Sequence, residues 1–152
     1  MVDKVTFAKT TYAPLPLKFE AGTPNFIGAI GLGEAVRYLQ SLPADAVADH
    51  ERRVYKHAAR RLSEIEGLRI YGTTDDKAPI LGFDVAGAGH YDIGLILDKL
   101  GIAIRTGHHC AEPVMARFGI SGMCRASFGL YNTIAEADAL ADGVARAVKM
   151  LR

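Results

Sequence analysis

The run Leu68-Arg69-Ile70-Tyr71 is followed, after the polar stretch Gly72 to Lys77, by Ile80-Leu81-Gly82-Phe83-Asp84-Val85. Both runs are short and rich in β-forming residues, and the segment between them has the composition of a surface loop, so they read as two successive strands. Parallel neighbours would need a crossover of a dozen or more residues, usually a helix, and there is no room for one here. The expected class is therefore α+β, a small mixed or antiparallel sheet with helices packed on it.

Upstream, Ala44 to Glu66 reads as a helix. Val47, Val54, Ala58, Leu62 and Ile65 recur at helical spacing, Arg52, Arg53, Arg60 and Arg61 take the other side, and Gly67 supplies the stop. Before it, Ile27, Ile30, Val36 and Leu39 describe another helix from Asn25, thinned on one face by Gly28, Gly31 and Gly33 and ended by Pro43. Residues 1–24 carry Pro14, Pro16 and Pro24 together with Phe7, Tyr12 and Phe19, and are expected to form an extended arm that is poorly ordered in isolation. Residues 25–152 are expected to form the folded domain.

Downstream, Tyr91 to Leu100 has helical periodicity and Gly101 ends it, before the strand-like Ile102-Ala103-Ile104. Met123 to Leu130 is a further expected strand. Thr133-Ile134-Ala135-Glu136 is a capping-box signature that opens a last helix with Ala137, Leu140, Val144, Val148 and Leu151 on one face.

The 152-residue chain is long enough to bury a core without disulfides or metal. Its 18 basic and 17 acidic residues nearly cancel, so the charge balance points to neither nucleic acid nor an anionic membrane. No apolar run reaches the ~20 residues of a membrane span, and the start has no signal-peptide core, so the expected location is cytoplasmic. The two cysteines, Cys110 and Cys124, are too few for a disulfide framework and are expected as free thiols.

Chemistry concentrates in Arg105-Thr106-Gly107-His108-His109-Cys110. A thiolate at Cys110 would be favoured by the neighbouring cation and by imidazole hydrogen bonds. Cysteine is often only a small buried hydrophobe, but Gly107 before this one and Glu112-Pro113 after it describe an exposed loop. His108, His109, Cys110 and Cys124 are residue types that can bind zinc. Three consecutive ligands seldom wrap one tetrahedral ion, so no metal site is expected. Arg125 could offer its planar fork to a substrate carboxylate or could be a surface ion pair. Gly22-Thr23-Pro24-Asn25 could bind phosphate or simply cap a helix. His50 and His57 receive no role.

Taken together, Phe19-Glu20-Ala21-Gly22-Thr23-Pro24-Asn25, the Arg105 to Cys110 segment, and Cys124-Arg125-Ala126-Ser127 with Tyr131-Asn132-Thr133 resemble the SufS-type, or group II, cysteine desulfurases of the class V aminotransferase family, over essentially the whole chain. What is matched is the C-terminal portion of that family, the small domain of a fold-type I pyridoxal-phosphate (PLP) enzyme. The resemblance implies a homodimer that converts L-cysteine to L-alanine and leaves a persulfide for a sulfur-acceptor protein of iron–sulfur cluster assembly. It implies Cys110 as nucleophile, Arg125 as the carboxylate clamp and Arg105 as a second active-site cation. His108 and His109 become possible tuners of the thiol. Gly22 and Thr23 become contacts to the phosphate of the partner subunit's PLP.

The family's cofactor-binding lysine belongs to a large domain that no segment here resembles, so this chain alone is expected to be inactive. The short approach to Cys110 also differs from the longer serine-rich loop of group I desulfurases. The alternative is a stand-alone module that accepts sulfur or docks a scaffold through Cys110 without a cofactor.

Overall fold

The computed structural model describes residues 1–152 and divides into two compact units, Met1–Pro43 and Ala44–Arg152. The division falls after the first helix, at Pro43.

In the first unit, β1 (Val2–Val5) pairs antiparallel with β2 (Thr10–Tyr12), where an extended arm was expected. The terminal amine donates to Leu17 O at 2.9 Å, tying the strand start to a single 3-10 turn over Leu17–Phe19. Helix α1 (Phe26–Ser41) follows, with Asn25 as its N-cap: the Asn25 side chain accepts from Gly28 N–H at 2.9 Å. No residue of α1 is buried, although Ile27, Ile30, Leu32 and Leu39 lie along it.

The second unit is built on a four-stranded antiparallel sheet in the order β3-β4-β6-β5, with β3 Leu68–Tyr71, β4 Ile80–Val85, β5 Arg105–Gly107 and β6 Met123–Ser127. Strand alternation decides its two faces. Leu81, Phe83 and Val85 are buried along β4, and the register sets Phe83 opposite Cys124 and Leu81 opposite Ala126. This face meets α2 (Ala44–Ser63), α3 (His90–Lys99) and α5 (Ile134–Leu151), which contribute Val54, Ala58, Leu62, Ile93, Leu97, Leu140 and Val144 to one core.

The α5 start has both hydrogen bonds of the capping box, Glu136 N–H to Thr133 Oγ1 at 3.2 Å and Thr133 N–H to Glu136 Oε2 at 2.7 Å. The two histidines without an assigned role lie between α2 and the start of α5. His50 Nε2 is 2.8 Å from Asn132 O, and His57 Nε2 is 2.7 Å from Asp138 Oδ1, a carboxylate that Arg61 shares.

The opposite face carries a smaller cluster, Tyr71, Met115 and Met123, with Phe118 and Ile120 against it. Met115 and Phe118 come from α4 (Glu112–Phe118), a helix the sequence reading did not place. The expected strand over 102–104 is displaced: Ile102 and Ile104 pack on the main core, but pairing with β6 begins at Arg105. The segment expected to run to Leu130 leaves the sheet after Ser127, and α2 ends at Ser63, short of Glu66.

Candidate active site around Cys110

Two arginines face each other across the last pair of strands. The β5–β6 register sets Arg105 opposite Arg125, Thr106 opposite Cys124 and Gly107 opposite Met123. Because Cys124 belongs to the helix-covered core, alternation turns Arg105 and Arg125 to the other face. Like charges directly opposite destabilise a ladder. Arg125 also has a buried Nε with no hydrogen-bond partner, and Arg105 is exposed. Facing guanidinium groups attract anions, and a carboxylate placed between them would relieve the repulsion.

Beyond Gly107 the chain turns sharply. Ala111 N–H donates to His108 O at 2.9 Å, closing a turn whose two central residues, His109 and Cys110, have φ of 55° and 57°. For side-chain-bearing residues the left-handed region costs roughly 1–2 kcal/mol each, and such conformations persist where the surroundings over-determine them. Two hydrogen bonds do so here. Cys110 N–H donates to His108 Nδ1 at 3.1 Å, and His109 Nε2 pairs with the Met123 carbonyl at 3.1 Å, which assigns the proton to that nitrogen.

Burial lowers the His109 pKa against the opposing effect of the Met123 hydrogen bond, and the charges of Arg125, Arg105 and His108 lower it further. A neutral imidazole therefore pins the turn to β6, with its Nδ1 buried and unpartnered. Both histidines thus bond to backbone. The side chain against the thiol is Arg105, whose Nη2 lies 3.8 Å from Cys110 Sγ.

The two cysteines are opposites. Cys110 is exposed, whereas Cys124 is buried, and burial, helped by Asp84, pushes its thiol up to about 12. Cys124 is held as a small core residue, with Sγ 3.5 Å from His90 O.

Arg105, His108, His109, Cys110 and Arg125 thus lie on the paired strands β5 and β6 and the turn that follows β5. Gly22 and Thr23 lie in the first unit, both exposed, with Gly22 at φ 78° and open space where a side chain would stand. Capping of α1 is carried by Asn25, so Thr23 is not needed for it. The Met123 carbonyl and the Ala111 amide, which hold the turn, could not be read as functional because they act through backbone. A cavity of 560 Å³ between α2 and the β3–β4 loop, lined by Tyr55, Lys56, Thr73 and Lys77 among others, includes none of these residues.

The chain matches the family model described as aminotransferase class-V over residues 1–140. It is 46% identical over 146 residues to a probable cysteine desulfurase of Streptomyces coelicolor, a match covering 95% of this chain and 35% of that protein. It is 44% identical over 152 residues to a cysteine desulfurase of Serratia proteamaculans, covering 99% of this chain and 37% of that one. Among solved structures it is similar to the cysteine desulfurase CsdA of Escherichia coli, in its S-sulfonic acid form, with TM-score 0.88, 38% identity, and coverage of 100% of this chain and 38% of that chain. The apo cysteine desulfurase of Thermococcus onnurineus aligns with TM-score 0.85 at 36% identity. The chain therefore spans little more than a third of the length of these relatives. An α+β body of this topology, matched along nearly its whole length, belongs to the class V aminotransferase family.

Proposed function

We propose that this chain is the nucleophile-bearing part of a SufS-type, group II cysteine desulfurase, converting L-cysteine to L-alanine with the sulfur retained as a persulfide on Cys110. The observation that carries the reading is the exposed Cys110 Sγ, held beside Arg105, which the β5–β6 register sets opposite Arg125. The names of the curated relatives support it.

PLP, when bound, supplies a ring that takes up electron density from the substrate carbons. Every other element would come from residues. Arg125 receives the substrate carboxylate on its guanidinium, with Arg105 opposite it as a second cation. The Cys110 thiolate attacks the substrate sulfur. A sulfur–sulfur bond forms, the carbon–sulfur bond breaks with its electron pair left on carbon, and a proton taken up there completes alanine. His109 and His108 hold the backbone on which this thiol stands.

The residues present fit a cofactor anchored from elsewhere. Residues 105–127 carry no lysine: Lys77 donates to Gly72 O in the β3–β4 loop, and Lys56, Lys99 and Lys149 lie on helices α2, α3 and α5. Gly22 and Thr23, free of capping duty, would hold the PLP phosphate of a partner subunit in a homodimer. The chain by itself is inactive on this reading. Cys110 stands on a short turn and cannot travel far, so an acceptor protein of cytoplasmic iron–sulfur cluster assembly comes to it to take the sulfur.

The test is a chimera in which this chain replaces the matching part of the Serratia proteamaculans relative. Alanine release from L-cysteine with PLP should be restored, and Cys110→Ser should remove it. A folded chimera that binds PLP but forms no alanine would sink the reading. The isolated chain, given PLP and L-cysteine, should form none. If the isolated chain instead took sulfur from a small persulfide and passed it on while the chimera stayed inactive, the cofactor-free module would be favoured.

A further inference from the structure

Three side-chain nitrogens in the chain are buried without a hydrogen-bond partner, and two of them, on Arg125 and His109, belong to the site just described. The third is Nδ1 of His90, the first residue of α3, to which the reaction gives no role. A buried nitrogen left unsatisfied costs stability, so an imidazole is an expensive way to fill space there.

Its position explains what it could be for. A Cβ placed on Gly122 would lie 2.5 Å from His90 Nε2 and 3.0 Å from the Gly107 carbonyl carbon, so the imidazole and the Gly107 backbone converge on a position that only glycine leaves open. Gly107 is the last residue of β5, with φ of 113°, and the Cys110 turn begins there. Gly122 is buried and immediately precedes β6, whose Met123 pairs with Gly107.

Two further contacts register α3 against the same strands. The His90 carbonyl accepts from Cys124 Sγ at 3.5 Å, and Gly94, one helical turn on, leaves room for the Thr106 methyl group, 2.6 Å from where its own Cβ would stand. Positions i and i+4 share one helix face. One face of α3 therefore lies along the paired strands β5 and β6, with His90 at the point from which the turn departs.

We propose that His90 is a positioning residue for Cys110: its ring sets the separation of Gly107 and Gly122, and thereby holds the thiol within reach of Arg105. The inference rests on the reading of Cys110 as a reactive thiol. His90 acts through this geometry and does not touch the reacting atoms. A planar ring of similar size should serve the wedge, whereas a methyl group should not.

The experiment measures alkylation of both cysteines in the intact chain at fixed neutral pH, with mass spectrometry to separate them. His90→Ala should slow Cys110 on the order of fivefold, the size expected from losing one cation beside a near-surface thiolate, while Cys124 stays protected. His90→Phe should keep Cys110 within about twofold of the parent chain by this ring-shape argument. In an Arg105→Ala background, His90→Ala should have no further effect, since the two act in one chain of contacts.

Three results would overturn the inference. One is an unchanged Cys110 rate in His90→Ala, and another is a Phe variant as slow as the Ala variant. The third is Cys124 becoming reactive in step with the change at Cys110, which would mark general loosening of the fold. The reactive-thiol reading is judged separately, by comparing parental Cys110 with a cysteine in an unstructured peptide.

Discussion

The two faces of the same four-stranded sheet are built on opposite terms. On one, Phe83, Leu81, Cys124, Leu62, Ile93 and Val144 are fully enclosed by three helices, and His50 and His57 at its margin each have a hydrogen-bond partner. On the other, a cluster of three buried residues under α4 adjoins two facing arginines, an exposed thiol and two left-handed residues that are not glycine. One strand serves both: Cys124 of β6 points into the core and its neighbour Arg125 points out of it. The contrast shows where stability is stored and where it is given up for chemistry, since strain and unpaired polar groups persist only on a scaffold that can bear them.

The comparison breaks first if the enclosed face is not where stability resides. Phe83→Ala should lower unfolding stability by about 3–5 kcal/mol, the range for truncating a buried phenylalanine, as read by urea denaturation. Thr133→Ala removes one half of the capping box at α5 and should cost about 1 kcal/mol in the same measurement. At the strained face the sign should reverse. Cys110→Gly relieves a left-handed residue and should leave stability unchanged or raise it by up to about 1 kcal/mol, even though native-state thiol labelling disappears because Cys124 is buried. A loss above that size would mean the turn is not strained.

The smallest effect sharpens the margin of the enclosed face. The hydrogen bond from His57 holds the Asp138 carboxyl below its ordinary range against the opposing effect of burial, and Arg61 adds to the lowering. A carboxyl depressed on folding contributes stability that is present above its unfolded pKa of about 3.9 and is lost as pH falls through the lower folded value. Stability should therefore decline with acid in that window, and less steeply in Asp138→Asn, in a pH series of urea melts. Equal slopes in the two proteins would remove Asp138 from the account.

Where the sequence was legible, the signal was local. The strands at 68–71 and 80–85 announced themselves by composition, and the Thr133–Glu136 box by spacing that mirrors its hydrogen bonds. Helix α4 was missed because it has only seven residues and begins with Glu112-Pro113, which reads equally as a loop. The proline in its first turn and the left-handed Gly119 after it are the marks of its two ends. The strand expected at Ile102-Ala103-Ile104 followed β-branched composition, but those isoleucines are buried against the core while pairing partners exist only from Arg105 onward. His50 and His57 lacked a reading because their partners are some eighty residues away along the chain.

The candidate site divides in the same way. Residue types and their order in Arg105 to Cys110 made the thiol a plausible reactive group, and its place between the Gly22-Thr23 and Arg125 segments sharpened that reading through the family resemblance. That the histidines bond to backbone, that Arg105 is the group beside sulfur, and that Arg125 stands directly opposite Arg105 depend on strand register and on the sense of one turn. Register is a non-local quantity: a slip of one residue would exchange Arg125 with Cys124, sending the guanidinium into the core and the inert thiol to the surface. The sequence by itself determined which side chains could do chemistry. Only the tertiary structure decided which of them share a face, because that choice is made by the burial of Phe83, Leu81 and their neighbours on the other side of the sheet.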